Sequence, residues 1–190
     1  MTFLRRGAVT GGVSAARAVD AGPVPLRPER PGFAAVAEQQ LDSVYRYLVF
    51  LTGDRTVAED LTGETFEKAL RSWRRFDPRR GAPRTWLCAI ARSLALDHFR
   101  SEARRRRREE TYARSEDAAE PLFAEGYSAE LEQALRALSP GEREVIALRV
   151  LLDLDGPSAA RVLGISETAC STRLSRALKR LEERIGNVRS

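Results

Sequence analysis

The chain has 190 residues, 43% of them apolar and 31% charged, with a formal net charge of +5 and an isoelectric point near 9.7. That length allows one ordinary domain or two small ones, and the basic balance favours an anionic partner. His98 is the only histidine, the cysteines Cys88 and Cys170 lie far apart, and no apolar run reaches the roughly 18 residues that span a bilayer, so the composition favours neither a disulfide framework, a zinc site nor a membrane span.

Residues 1–32 open with Met1-Thr-Phe-Leu-Arg-Arg and continue rich in Gly, Ala and Pro, with Arg17 and Asp20 interrupting any apolar stretch. They read as a disordered leader or start-site extension rather than a signal peptide, which places the protein in the cytoplasm. Strand alternation and hairpin signals are nearly absent, whereas helical periodicity is strong. A first helix is expected over 33–51, burying Val36, Leu41, Val44, Tyr45, Leu48 and Leu51, and Thr52-Gly53-Asp54 breaks it. A second, over 56–73, buries Val57, Leu61, Phe66, Ala69, Leu70 and Trp73, with Glu59, Asp60, Glu64 and Glu67 on its opposite face. Two prolines and a glycine mark 76–83 as a loop. A third helix runs over 84–105 with Trp86, Leu87, Ile90, Ala91, Leu94 and Phe99 inward.

Residues 106–128 are acidic, rich in Ala and lack apolar periodicity, and read as a linker between two helical domains, 33–105 and 129–187. In the second domain Leu131, Leu135 and Leu138 make one amphipathic segment. Ser139-Pro-Gly-Glu142 then combines a capping box with Pro at the first helical position, and the helix continues through Val145, Ile146, Leu148 and Leu151. A short helix over 158–163, the turn Gly164-Ile165-Ser166 and a last helix over 167–185 form a helix-turn-helix, whose second helix enters the major groove of DNA. The fold class is all-α.

Charge is arranged in blocks. From Arg84 to Arg108 eight arginines face Asp97 and Glu102, a net +6; from Glu109 to Glu132 eight acids face Arg114, a net −7; from Gly164 onward the net is +3. Codon bias explains why lysine occurs only at Lys68 and Lys179, but not the separation into blocks. On the last helix Ile165, Cys170, Leu174, Ala177 and Leu181 form a buried stripe, while Ser171, Thr172, Arg173 and Arg176 project elsewhere. Hydroxyl and guanidinium groups are suited to base edges and phosphates; the competing reading is a helical hairpin with a solvated basic face. In the middle helix the aromatics Trp73, Phe76, Trp86 and Phe99 flank a basic surface, an arrangement that suits stacking of single-stranded bases. The competing reading there is an amphipathic core helix, with Trp86 a core residue.

These residues resemble a known family. Ala58-Glu-Asp-Leu-Thr-Gly-Glu-Thr-Phe66 and Thr85-Trp-Leu-Cys-Ala-Ile-Ala-Arg92, with Asp97 and Arg100, resemble the second conserved region of extracytoplasmic-function (ECF) sigma factors. Leu138-Ser-Pro-Gly-Glu-Arg-Glu-Val145, then Leu163-Gly-Ile-Ser166 and Arg173-Leu-Ser-Arg-Ala-Leu-Lys-Arg-Leu181, resemble their fourth region. The resemblance covers about 33–105 and 129–185, in the family's order.

The resemblance implies a non-enzymatic factor that carries core RNA polymerase to promoters, with no cofactor or metal. Glu59, Asp60, Leu61, Glu64 and Phe66 match positions that dock on the beta-prime clamp helices, and the fourth region would meet the beta flap. Phe76, Arg84, Arg92, Ser93, Asp97 and Arg100 match the surface that opens the −10 element and takes up a base from the melted non-template strand. Extrusion costs a few kcal/mol, which the pocket must return by stacking and hydrogen bonds. Asp97 and Arg100 equally suit an i,i+3 pair on the helix exterior. Ser166, Glu167, Thr168, Ser171, Thr172, Arg173 and Arg176 match the reader of the double-stranded −35 element. An anti-sigma factor is the further partner implied.

Several positions depart from the family pattern. Ser93 replaces a usual Asn and lacks its amide; Gly63 stands where Gln is frequent and costs about 1 kcal/mol in mid-helix. Gly156-Pro-Ser-Ala159 replaces an aromatic-Glu-Glu-Ile sequence, and Ser171 stands where Lys or Arg is common. Two rival readings follow: a helix-turn-helix regulator that never engages polymerase, and a degenerate sigma-like chain that sequesters a partner.

Overall fold

A computed structural model describes residues 32–109 and 128–188; the expected leader and most of the expected linker lie outside them. Among the described residues there are seven α-helices and no strand. The first three form one bundle: α1 (Phe33–Thr52), α2 (Arg55–Ser72) and α3 (Pro83–Glu109), each packed on the other two. Gly53 ends α1 in the left-handed conformation (φ 70°), donating its N–H to the Val49 carbonyl. One residue later the Asp54 carboxylate accepts from Val57 N at 3.0 Å and caps α2. Trp73–Arg75 closes α2 with a 3-10 turn, and α3 continues to Glu109, four residues past its expected end.

Three apolar residues expected inside are outside, two of them by a single helical step. Leu41 is 52% exposed and Leu70 57%. Each stands one residue after an inward-facing position (Gln40 and Ala69), which turns it about 100° around its helix. Thr62 and Thr65 are buried instead and donate their hydroxyls to the Ala58 and Leu61 carbonyls, both at 2.6 Å. Phe99, also expected inward, is 39% exposed. At one end of the bundle Phe33, Phe66, Trp73, Phe76 and Trp86 pack ring on ring, with Trp73 and Phe76 stacked at 4.8 Å.

The C-terminal half comprises α4 (Ala129–Arg136), α5 (Pro140–Ile146), α6 (Gly156–Leu163) and α7 (Glu167–Val188). The Ser139–Glu142 capping box is formed in both directions. After Ile146 the helix widens into a π turn over Ala147–Leu151, and Asp153 follows at φ 49°. Asp155 caps α6, which begins two residues before its expected start, and Gly164 (φ 67°) makes the tight turn to α7. Leu135, Leu138, Val145, Leu148, Ala160, Leu163, Cys170, Ala177 and Leu181 form the core beneath.

The two halves are docked. α3 lies along α6, and α1 lies against α5 and the π turn. Tyr47, Val49 and Phe50 are therefore buried as well as the expected stripe of α1, and Cys88 and Ala95 as well as that of α3. Both cores join in one apolar cluster.

Candidate nucleic-acid and polymerase interface

The outer face of α2 is acidic and open. Glu59, Asp60, Glu64 and Glu67 are exposed, and Gly63 sits among them with free space where a Cβ would stand. Glu67 pairs with Arg71 on the next turn. Leu61 does not belong to this face: at 5% exposed it points into the bundle and supports the face from behind. Phe66 is half-buried, edge-on to Phe33 with ring centroids 6.5 Å apart.

The six residues expected at the −10 surface separate into three groups. Ser93, Asp97 and Arg100, spaced four and three residues apart, form an exposed stripe on α3, and Arg100 bonds Asp97 at 3.0 Å. Phe76 is 2% exposed, its ring held in the aromatic cluster, so it is not an open stacking platform. Arg84 and Arg92 lie on another side of α3 and reach the C-terminal half. Arg84 donates to Gln40 Oε1 at 2.8 Å and to the Leu152 carbonyl at 3.3 Å. Arg92 grips Glu144 with two bonds, Nε–Oε1 at 2.6 Å and Nη2–Oε2 at 3.2 Å. The Tyr47 hydroxyl adds a third, longer contact to Glu144 Oε1 at 3.5 Å. Burial first, and the Glu144 carboxylate second, push the Tyr47 hydroxyl well above its ordinary pKa, so it stays protonated as a donor.

Beneath the loop before α3 is a hollow lined by Arg75, Asp77, Arg80, Gly81, Thr85, Trp86 and Arg161. Thr85 is 3% exposed, and its hydroxyl has no hydrogen-bond partner among the described residues. Gly81, at φ 153°, passes so close to the Arg161 guanidinium that a side chain there would collide with it.

In the helix-turn-helix, Ser166 caps α7 by accepting from Ala169 N at 3.2 Å. Glu167, Thr168, Ser171, Thr172 and Arg176 are exposed over the first turns of α7, and Arg173 is half-buried toward Gly141 of α5. Arg180 is not part of this free face. It bonds both oxygens of Glu142, at 2.7 and 2.9 Å, and so ties α7 to the start of α5. Burial works against ionisation of Glu142, but bonds from Ser139 and the Arg180 charge outweigh it and hold the carboxyl below its usual pKa. Neither Glu142–Arg180 nor Glu144–Arg92 was legible as a pair, because partners 38 and 52 residues apart leave no local spacing signal.

The cysteines are not poised for chemistry. Cys88 is fully buried and its thiol is pushed up to about 12, mainly by burial; burial also raises that of Cys170. Among the described residues no helix is long and apolar enough to cross a membrane.

Two family models match this arrangement in order: Sigma-70 region 2 over residues 36–105, which is the α1–α3 bundle, and Sigma-70 region 4 over residues 128–181, which is the helix-turn-helix half. The ECF RNA polymerase sigma factor SigC of Mycobacterium tuberculosis is 36% identical over 137 residues, covering 70% of this chain and 72% of SigC. The chain belongs to the ECF RNA polymerase sigma factors. BldN of Streptomyces coelicolor, another ECF sigma factor, is 37% identical over 160 residues; the match covers 80% of this chain but only 60% of BldN. Among solved structures CnrH, in complex with the cytosolic domain of CnrY, shares the fold with a TM-score of 0.61 and 26% identity, over 82% of this chain and 88% of CnrH.

Proposed function

We propose that this ECF sigma factor directs promoter-specific initiation through three surfaces. The acidic outer face of α2, centred on Glu59, Asp60 and Glu64, engages a basic or polar surface on core polymerase, the expected clamp helices. The exposed stripe Ser93, Asp97 and Arg100, joined by Arg84 and Arg92, meets the −10 element. The start of α7, with Ser166, Glu167, Thr168, Ser171, Thr172, Arg173 and Arg176, reads the −35 duplex.

The observation that carries this reading is the capped, solvent-facing start of α7. Its Ser, Thr and Arg side chains stand clear of the core on the helix that a helix-turn-helix places in the major groove. The acidic face of α2 is separate from it and fits a protein partner better than a polyanion. An anti-sigma factor is the expected regulator. Its support is that CnrH, of the same fold, was solved with the cytosolic domain of CnrY.

Run-off transcription with core polymerase on genomic promoter fragments tests the proposal. The expected result is a discrete set of transcripts that requires this chain and is lost in Asp60→Lys. DNA binding without core, unchanged by Asp60→Lys and with no transcript, would replace the proposal with the polymerase-independent regulator.

A further inference from the structure

The loop before α3 covers a hollow of about 450 Å³ whose lining residues belong to none of the three proposed surfaces. Its floor is Thr85, buried, with a hydroxyl that has no hydrogen-bond partner among the described residues. A hydroxyl left unpaired in the interior destabilises the fold, so its presence calls for a partner that arrives from outside. Around the rim stand the exposed guanidinium groups of Arg75, Arg80 and Arg161. None of the three is ion-paired among the described residues, and the one carboxylate of the hollow, Asp77, accepts from Arg79 N at 3.0 Å. Gly81 admits Arg161 to this rim: a Cβ there would lie 2.6 Å from Nη1. Pro83 opens α3 and has no N–H, while Trp86 N already bonds the Ala82 carbonyl at 3.3 Å. The amides of Arg84 and Thr85 are therefore the ones that the first turn leaves without a helical acceptor.

We infer that this hollow binds the terminal phosphate of a small phosphorylated molecule. Three guanidinium groups against one carboxylate make it electropositive, and their N–H donors suit the three free oxygens of a phosphate end group. The unpaired amides at the start of α3, with the helix dipole behind them, favour the same charge. The Thr85 hydroxyl donates from below to an oxygen that has passed the rim. A phosphate inside a nucleic-acid chain carries a sugar on two sides and has only two free oxygens, so it meets the rim without reaching the floor. An end group reaches both. Trp86 closes one wall with a half-buried ring, which offers a face to an aromatic base. Inorganic phosphate and a nucleoside phosphate share this chemistry. Arg161 belongs to α6 and the other groups to the first bundle, so the ligand touches both family regions.

Calorimetric titration of the full chain tests the site, with inorganic phosphate, adenosine monophosphate and adenosine as probes. Phosphate and the monophosphate should each bind saturably, and adenosine should not. Thr85→Val keeps the shape and removes the hydroxyl, and Arg161→Gln removes one rim charge. Each should weaken the monophosphate about tenfold, the worth of one charge-assisted hydrogen bond. Arg79→Gln, on the same loop but outside the hollow, should leave binding within about twofold. Thr85→Val should also leave the thermal midpoint of the unliganded chain as high as before, because the hydroxyl it removes is unpaired. A monophosphate that binds tighter than phosphate assigns the Trp86 wall to the base; equal affinities assign the site to phosphate alone. The inference is overturned if neither phosphate binds saturably, if adenosine binds as well as the monophosphate, or if Arg79→Gln reproduces the loss. Binding that Thr85→Val leaves intact, or a midpoint that it lowers, overturns it too. It also falls if Thr85→Val weakens an oligonucleotide without terminal phosphates as much as it weakens the monophosphate, since the hollow would then serve the DNA backbone.

Discussion

Helix α5 carries two carboxylates two residues apart, and each is held by an arginine from a distant helix. Glu142 meets Arg180 of α7, within the helix-turn-helix half; Glu144 meets Arg92 of α3, across the junction between halves. The bonds are alike in length and both carboxylates are almost fully buried, but the arginines differ: 58% of the Arg180 side chain is exposed against 24% for Arg92. A two-residue step turns about 200° around a helix, so the carboxylates look in nearly opposite directions. One bond ties the recognition helix to the start of α5 and the other ties α5 to α3 of the first bundle. The same ion-pair chemistry thus serves within one half and between the halves, and what differs is how far the arginine is withdrawn from solvent.

The largest way to break the comparison is to remove what both pairs hang from. Leu148 is fully buried in the π turn that continues α5, and Leu148→Ala should cost roughly 2–5 kcal/mol in urea unfolding and weaken both pairs together. Next comes Glu144→Ala, which leaves Arg92 partly buried without its partner. About 3 kcal/mol of docking free energy should be lost, read in calorimetry as one transition becoming two. Glu142→Ala should be milder, about 1 kcal/mol from loss of the capping box and a half-exposed pair, and should leave docking intact.

Glu142 can also be probed by pH. The pKa of Glu142 is held down in the fold, so its stabilisation is complete above the ordinary carboxylate pKa near ~4.3 and is lost as pH falls through the lowered value. Glu142→Gln should flatten the acid limb of helix-turn-helix stability in that window, measured by circular dichroism. Smallest in stability is Asp97→Asn. Its pair with Arg100 is exposed on both sides, so the change should stay within about 0.5 kcal/mol, and its effect should appear in transcription from promoters altered at the −10 element.

Features written in neighbouring residues were legible in the sequence. The Ser139–Glu142 box, the glycine stops at Gly53 and Gly164 and the short-helix, turn, long-helix order all depend on spacings of a few residues. Docking was not legible, because a helix buried on two sides by remote segments shows no single period. Tyr47, Phe50 and Cys88 are buried outside the expected stripes, and Arg84 and Arg92 turn from solvent to partners in the other half. Phe76 misled for a related reason: an aromatic at the start of a proline-punctuated loop suits a platform equally well until Trp73 is found stacked on it. The acidic face of α2 was readable, and helical periodicity already put Leu61 on the opposite side, where the bundle closes over it.

The π turn over Ala147–Leu151 has a consequence for how this family member can change over evolutionary time. A π turn holds one more residue than an α turn over nearly the same axial rise. Deleting one of its five residues would let a regular α turn span nearly the same rise and rotation, so the chain after it would keep its heading relative to Glu142 and Glu144. The α6–α7 unit would keep its sequence, its internal packing and its place against α3. In this stretch a one-residue deletion is a change of length rather than of heading, and chains aligned with a gap here would present their recognition helices alike.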